Sequence, residues 1–194
     1  MRQYSTKPST KPSPAPSALP HLTPTGAAHM VPIHTKAVST RTAVAVGTVT
    51  FSNPTALELI RSNSNKKGDV LALARISGIM AAKKCADIVV LCHPIPISSV
   101  EVDVKEVVGE REGLGGGEGD GNGVLQIRAT VTCEGKTGVE MEALTAVMGA
   151  ALAVVDMCKA VDKRIVVGGV RVIEKRGGRS GDFFADGPPP VEGR

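Results

Sequence analysis

Aromatic side chains are almost missing from this chain of 194 residues, which has no tryptophan, one tyrosine and three phenylalanines. Tyr4, Phe51, Phe183 and Phe184 leave the stretch from Ser52 to Asp182 with none. Proteins that hold single-stranded nucleic acid stack bases on aromatic platforms, and this stretch has no platform to offer. Acid is missing from the first 57 residues, which carry five cations: Arg2, Lys7, Lys11, Lys36 and Arg41. Residues 58–194 hold 18 Lys and Arg against all 19 Asp and Glu, so the formal net charge of +4 arises in the N-terminal part. The pI near 9 is therefore not the footprint of a basic, nucleic-acid-binding body. Cys85, Cys92, Cys133 and Cys158 form no C-x-x-C pair, and there are four histidines. That is a poor zinc framework and a poor disulfide framework, and it fits a reducing compartment. The longest apolar run, Ala146 to Val155, is about half a membrane span, so no membrane partner is expected.

What is present is enough chain for one domain with a sizeable core. Residues 1–26 are rich in Ser, Thr, Pro and Lys and read as a disordered leader or linker. Their acid-free, Arg-bearing start resembles a transit segment without an amphipathic helix. A mitochondrial matrix location is expected for a eukaryotic chain, and the cytoplasm otherwise. The body spans 27–184, with a glycine-rich loop insertion at 109–123 and a disordered tail at 185–194.

Within the body, alternation predicts strands over 40–51, 97–108, 124–134 and 164–175. Ser52-Asn53-Pro54 offers a cap and a first-turn proline for a short helix to about Arg61. Asp69 caps a second helix over 70–86, whose Val70, Leu73, Ile76 or Ser77, and Met80 follow the helical period. A long helix from Gly138 to Val161 follows Thr137, which with Glu140 forms a Thr-x-x-Glu capping box. The order β-α-α-β-β-α-β predicts an α+β, ferredoxin-like split βαβ: a four-stranded antiparallel sheet with helices on one face. The open sheet face then calls for a partner subunit.

The long helix is apolar almost all round. At about 100° per residue, Glu142, Thr145, Gly149, Asp156 and Lys159 fall within roughly a quarter turn. A solvated i,i+3 ion pair is the ordinary account of Asp156 and Lys159, but so narrow a stripe on so apolar a helix points to a cleft or subunit interface. Perturbed ionisation is expected there. Lys66-Lys67-Gly68-Asp69 precedes a helix start, where anions are attracted, though spacing alone favours an ordinary loop. Gly135-Lys136-Thr137-Gly138 looks like the end of a phosphate-binding loop, but Thr130 stands where that motif needs Gly. Cys92-His93 joins a thiol to an imidazole. A metal would need two further ligands, which the sequence does not reveal, so no metal is expected.

Taken together these segments resemble one family. The residues are Lys67-Gly68-Asp69, the run Ala74 to Lys83, Leu91-Cys92-His93-Pro94, the run Gly135 to Ala146, Asp156-Met157-Cys158-Lys159-Ala160-Val161, and Ser180-Gly181-Asp182-Phe183. They look like cyclic pyranopterin monophosphate synthase, and the likeness covers residues 26–184. The resemblance implies a lyase of molybdenum cofactor biosynthesis that converts 3′,8-cyclo-7,8-dihydroguanosine 5′-triphosphate to cyclic pyranopterin monophosphate with release of pyrophosphate, and that uses no cofactor. It implies a homo-oligomer, a hexamer built as a trimer of dimers, with sites at the dimer interface. It also implies that Asp156 is the acid/base with Lys159 as its partner, and that Lys67 is a catalytic or triphosphate-binding cation. Leu91, Cys92, His93, Glu140, Met141 and Glu142 match substrate-binding segments, and Arg41 matches a phosphate-contacting arginine. A raised amine or carboxylate pKa would suit proton shuttling. Arg179 stands where a lysine is expected, which limits it to binding, since a guanidinium keeps its proton at neutral pH. The competing reading is a non-catalytic nucleotide- or RNA-binding module of the same fold.

Overall fold

A computed structural model describes residues 27–107 and 122–185. The expected leader, most of the glycine-rich insertion and nearly all of the expected tail lie outside the described residues. The chain divides into two units, Met1–Val31 and Pro32–Arg194. The described part of the first, residues 27–31, contains no helix; all that follows concerns the second.

Alternating and β-branched residues form β1 (Ser39–Thr50), β2 (Ile97–Glu106), β3 (Val124–Gly135) and β4 (Val166–Arg176). The sheet order is β2-β3-β1-β4, and every neighbouring pair is antiparallel. β1 and β2 are thus split by β3, as the ferredoxin-like arrangement requires. The expected four strands become five. β5 (Phe183–Phe184) pairs with Glu174 and Lys175 at the far edge. The chain can double back there because Gly177 and Gly181 take positive φ.

The helices are α1 (Thr55–Arg61), α2 (Val70–Lys83), α3 (Cys85–Ile88) and α4 (Glu140–Cys158). Asp69 caps α2 as expected, its carboxylate accepting from the Ala72 N–H at 2.9 Å. Pro54 occupies the N-cap of α1 and not its first turn, while Asn53 Oδ1 accepts from the Thr55 N–H. The Thr137–Glu140 capping box does not form: Val139 is the N-cap of α4 and no side chain caps it. The Glu140 carboxylate is instead drawn to Lys175 Nζ, 2.8 Å away.

The core owes its closeness to small residues. Ala43, Ala45 and Ala129 of the sheet face Ala143, Ala146, Ala150 and Ala151 of α4, all fully buried. A Cβ on Gly47 would lie 2.7 Å from Val147, so glycine there lets α4 lie down on β1. The helix layer is equally tight. A Cβ on Gly149 would meet Ala81 Cβ at 2.3 Å, and one on Gly78 would meet the Ala146 carbonyl at 2.9 Å. By length and composition α4 passes for a membrane span, yet its buried positions are the centre of this core.

Candidate active site

Two groups of the expected residues assemble, at opposite ends of α4. At its C-terminal end stand Lys67, Asp156 and Lys159. The loop carrying Lys67 is fastened by Asn65, whose side-chain amide donates to the Met157 carbonyl at 3.1 Å and whose Oδ1 accepts from the Lys67 N–H at 2.9 Å. Gly68, at φ 104°, closes the turn. Lys67 Nζ then reaches the Asp156 carbonyl at 2.6 Å and Oδ2 at 3.0 Å. Lys159 Nζ lies 2.6 Å from the other carboxylate oxygen, Oδ1.

The two ammonium groups, Lys159 first and Lys67 second, hold the Asp156 carboxyl down at about 2. The expected raised carboxylate is therefore not what this arrangement produces. Its side chain is 57% exposed, so burial hardly opposes ionisation and the neighbouring cations decide. The trio carries a net positive charge at neutral pH and faces solvent, a suitable receiver for an anionic substrate.

At the N-terminal end of α4 stand the other candidates. Arg41, from β1, is largely buried and donates from Nε to the Gly135 carbonyl at 3.4 Å. Arg41, Glu140 and Arg179 line one cleft of about 580 Å³ together with Lys36, Lys136 and Lys175. Five cations against one carboxylate give that cleft a positive formal charge. Leu91, Cys92 and His93 are half-buried in the loop before β2, which a hydrogen bond from the Cys92 N–H to the Val89 carbonyl turns back on itself. Met141 is partly exposed on the first turn of α4.

Glu142 is only 3% exposed. Desolvation, its first cause, raises its pKa, and the nearby Glu140 adds to the shift. The thiols of Cys85 and Cys92 also rise with burial, Cys85 to about 12, and Glu142 contributes to both shifts. Thr145 Oγ1 donates to Cys85 Sγ at 3.5 Å.

The expected polar stripe is thus broken in its middle. Glu142 and Thr145 turn inward to the thiols, Gly149 is the contact with α2, and only Asp156 and Lys159 stay wet. The large apolar residues that α4 exposes are Met141, Met148 and Leu152, and α2 exposes Leu73, Ile76 and Met80. Asp156 lies sixteen residues beyond Glu140 on one helix, about 24 Å at about 1.5 Å per residue.

Three residues of these sites escape the sequence reading. Lys175 joins the cleft because β4 runs beside β1, a pairing of residues far apart in sequence. Asn65 had a local signal, since Asn two residues before Lys67 forms an Asx turn. Cys85 reaches the site only because the helix begun at Val70 breaks after Lys83.

Comparison with known proteins bears on the same region. A model of the MoaC family matches residues 30–178. The cyclic pyranopterin monophosphate synthase of Chloroflexus aggregans is 50% identical over 163 residues, 84% of this chain and 91% of that protein. Those of Streptomyces griseus and Parvibaculum lavamentivorans are 48% identical over 168 residues and 46% over 165. These matches cover 87% and 85% of this chain, and 86% and 95% of the respective relatives.

Proposed function

The chain belongs to the MoaC family, and from that premise we propose the reaction and the roles of its residues. It is an enzyme of molybdenum cofactor biosynthesis, a lyase acting on a small molecule. The reaction is conversion of 3′,8-cyclo-7,8-dihydroguanosine 5′-triphosphate to cyclic pyranopterin monophosphate with release of pyrophosphate. The single observation that carries the reading is the Lys67–Asp156–Lys159 trio.

The chemistry demands proton transfers on a ring that is being rebuilt and charge stabilisation as pyrophosphate departs. The two ammonium groups supply protons and positive charge, and the Asp156 carboxylate accepts a proton. Alone it is a weak base, because both cations hold it ionised. A substrate phosphate that draws Lys67 or Lys159 away removes a counter-charge and raises its basicity. Substrate binding therefore arms the base. Arg41, Arg179 and the lysines of the cleft hold phosphate, while Leu91, Cys92, His93, Met141 and Glu142 contact the base-derived ring, with Glu140 tuning Lys175.

The trio and the cleft are too far apart in one chain to hold the same nucleotide. One copy supplies the trio and a second supplies the cleft, in a dimer that builds a hexamer. Large apolar side chains exposed on both α2 and α4, Leu73, Ile76, Met80, Met148 and Leu152, support an assembly that covers them. The alternative, an RNA-binding module, has neither aromatic platforms nor any use for the trio.

The test is mass spectrometry of the product formed from the cyclic triphosphate by the purified chain. Asp156→Ala and Lys159→Ala should each abolish turnover and leave the oligomer unchanged by light scattering. Absence of the pyranopterin product from the parent protein overturns the function. Full activity in either variant overturns the roles.

A further inference from the structure

Beneath the first turn of α4 two of the substrate-contact candidates, Cys92 and Glu142, close with a third residue, Cys85, that the reaction gives no role. Cys85 Sγ, Cys92 Sγ and a Glu142 carboxylate oxygen lie within 4.8 Å of one another. They come from three separate elements: α3, the loop before β2, and α4. Cys85 is 2% exposed and Glu142 little more. Among the described residues no salt bridge reaches Glu142. A carboxylate buried without a cation is costly, and it faces two thiols able to become anions.

We propose that Cys85, Cys92 and Glu142 bind a thiophilic divalent cation of the zinc class, and that this ion competes with substrate for Cys92 and Glu142. Metal–sulfur bonds of about 2.3 Å and metal–oxygen bonds of about 2.0–2.2 Å set neighbouring ligands roughly 3.5–3.8 Å apart in a tetrahedron. From separations of at most 4.8 Å the ligand atoms need to close by about 1.3 Å or less to reach that spacing, within the reach of small side-chain rotations. Two sulfurs and one oxygen favour zinc, cobalt or cadmium over magnesium or calcium. On ligation each thiol gives its proton to solvent. Thr145 Oγ1, already donating to Cys85 Sγ, orients that sulfur from behind. Three protein ligands leave a fourth position for water, on the side where Cys92 is half-exposed. The ion therefore occupies the substrate segment from below and acts as an inhibitor.

The competition rests on the reading of Cys92 and Glu142 as substrate contacts; the binding does not. The full chain, reduced and freed of metal, is titrated with Co²⁺ without oxygen. The expected result is a thiolate-to-cobalt charge-transfer band that saturates at one cobalt per chain, is displaced by Zn²⁺, and is lost in Cys85→Ser and Cys85→Ala. Cys133→Ser should retain it, and circular dichroism checks that each variant is folded. No band, or a band that survives in both folded Cys85 variants, overturns the site. In the synthase assay Zn²⁺ should inhibit the parent, and half-inhibition of Cys85→Ser should need at least about tenfold more. A parent that binds cobalt but resists zinc inhibition overturns the competition. A chain without synthase activity would overturn the proposed reaction, and the cobalt band would still decide the site.

Discussion

Glu142 and Asp156 are both acids on one helix, and their surroundings push them in opposite directions. Asp156 is wet and flanked by two ammonium groups, so it stays ionised far below neutrality. Glu142 is dry and meets only weak donors, so it keeps its proton to higher pH than a free glutamate. The folded state then binds more protons than the unfolded chain between the ordinary glutamate pKa and the raised one. Stability accordingly falls as pH rises through that interval. Glu142→Gln removes the fall while its carbonyl oxygen can still accept from Cys85. In calorimetry the variant should gain melting temperature over the parent at about pH 7 and gain less at about pH 4. An equal difference at both pH values would show that Glu142 ionises normally. Neither direction was readable from sequence. The quarter-turn grouping located the residues, but only the packing of α3 and the Lys67 loop decided which acid would be dry.

At the scale of elements, two glycines set how closely α2 and α4 cross. Gly149 sits against Ala81 and the Ser77 carbonyl, and Gly78 against the Ala146 carbonyl. Gly149→Val should destabilise the fold by about 1–3 kcal/mol through overpacking, measured as a lower denaturation midpoint with an unchanged slope. A midpoint equal to that of the parent would mean that the helices separate without cost. The helices and strands themselves were legible, because apolar periodicity and the Asp69 cap are local signals. The failures were ones of competition. Thr137 and Glu140 had the spacing of a capping box, but an ion pair across the sheet, to Lys175, took the carboxylate. The helix predicted through residue 86 breaks at Lys84, and that break turns Cys85 toward Cys92.

For the whole molecule, the length of α4 sets the terms. It carries the trio at one end and Glu142 at the other, so in the proposed dimer each site draws on both copies. Lys159→Ala and Glu142→Gln, each expected to lose turnover alone, should therefore rescue each other when unfolded and refolded together. Random pairing gives half mixed dimers, each with one intact site of two, hence about a quarter of parental activity. No recovery from correctly assembled mixtures would mean that each site lies within a single chain. Leu73, Ile76, Met80, Met148 and Leu152, the exposed apolar residues of α2 and α4, are the ones to mutate next if pairing fails.

By itself the sequence determined the order of the main elements, α3 and β5 apart, the split sheet and the family, because periodicity, caps and long motifs are written in neighbouring residues. It also determined that the useful cations are few. Beyond the i,i+3 pair of Asp156 and Lys159, tertiary structure decided which charges meet. Lys67 and Asp156 are 89 residues apart and share a hydrogen bond, and Lys175 enters the cleft only through the β1–β4 pairing. Ionisation depends on distance and on exclusion of water, and neither is set until the chain has folded.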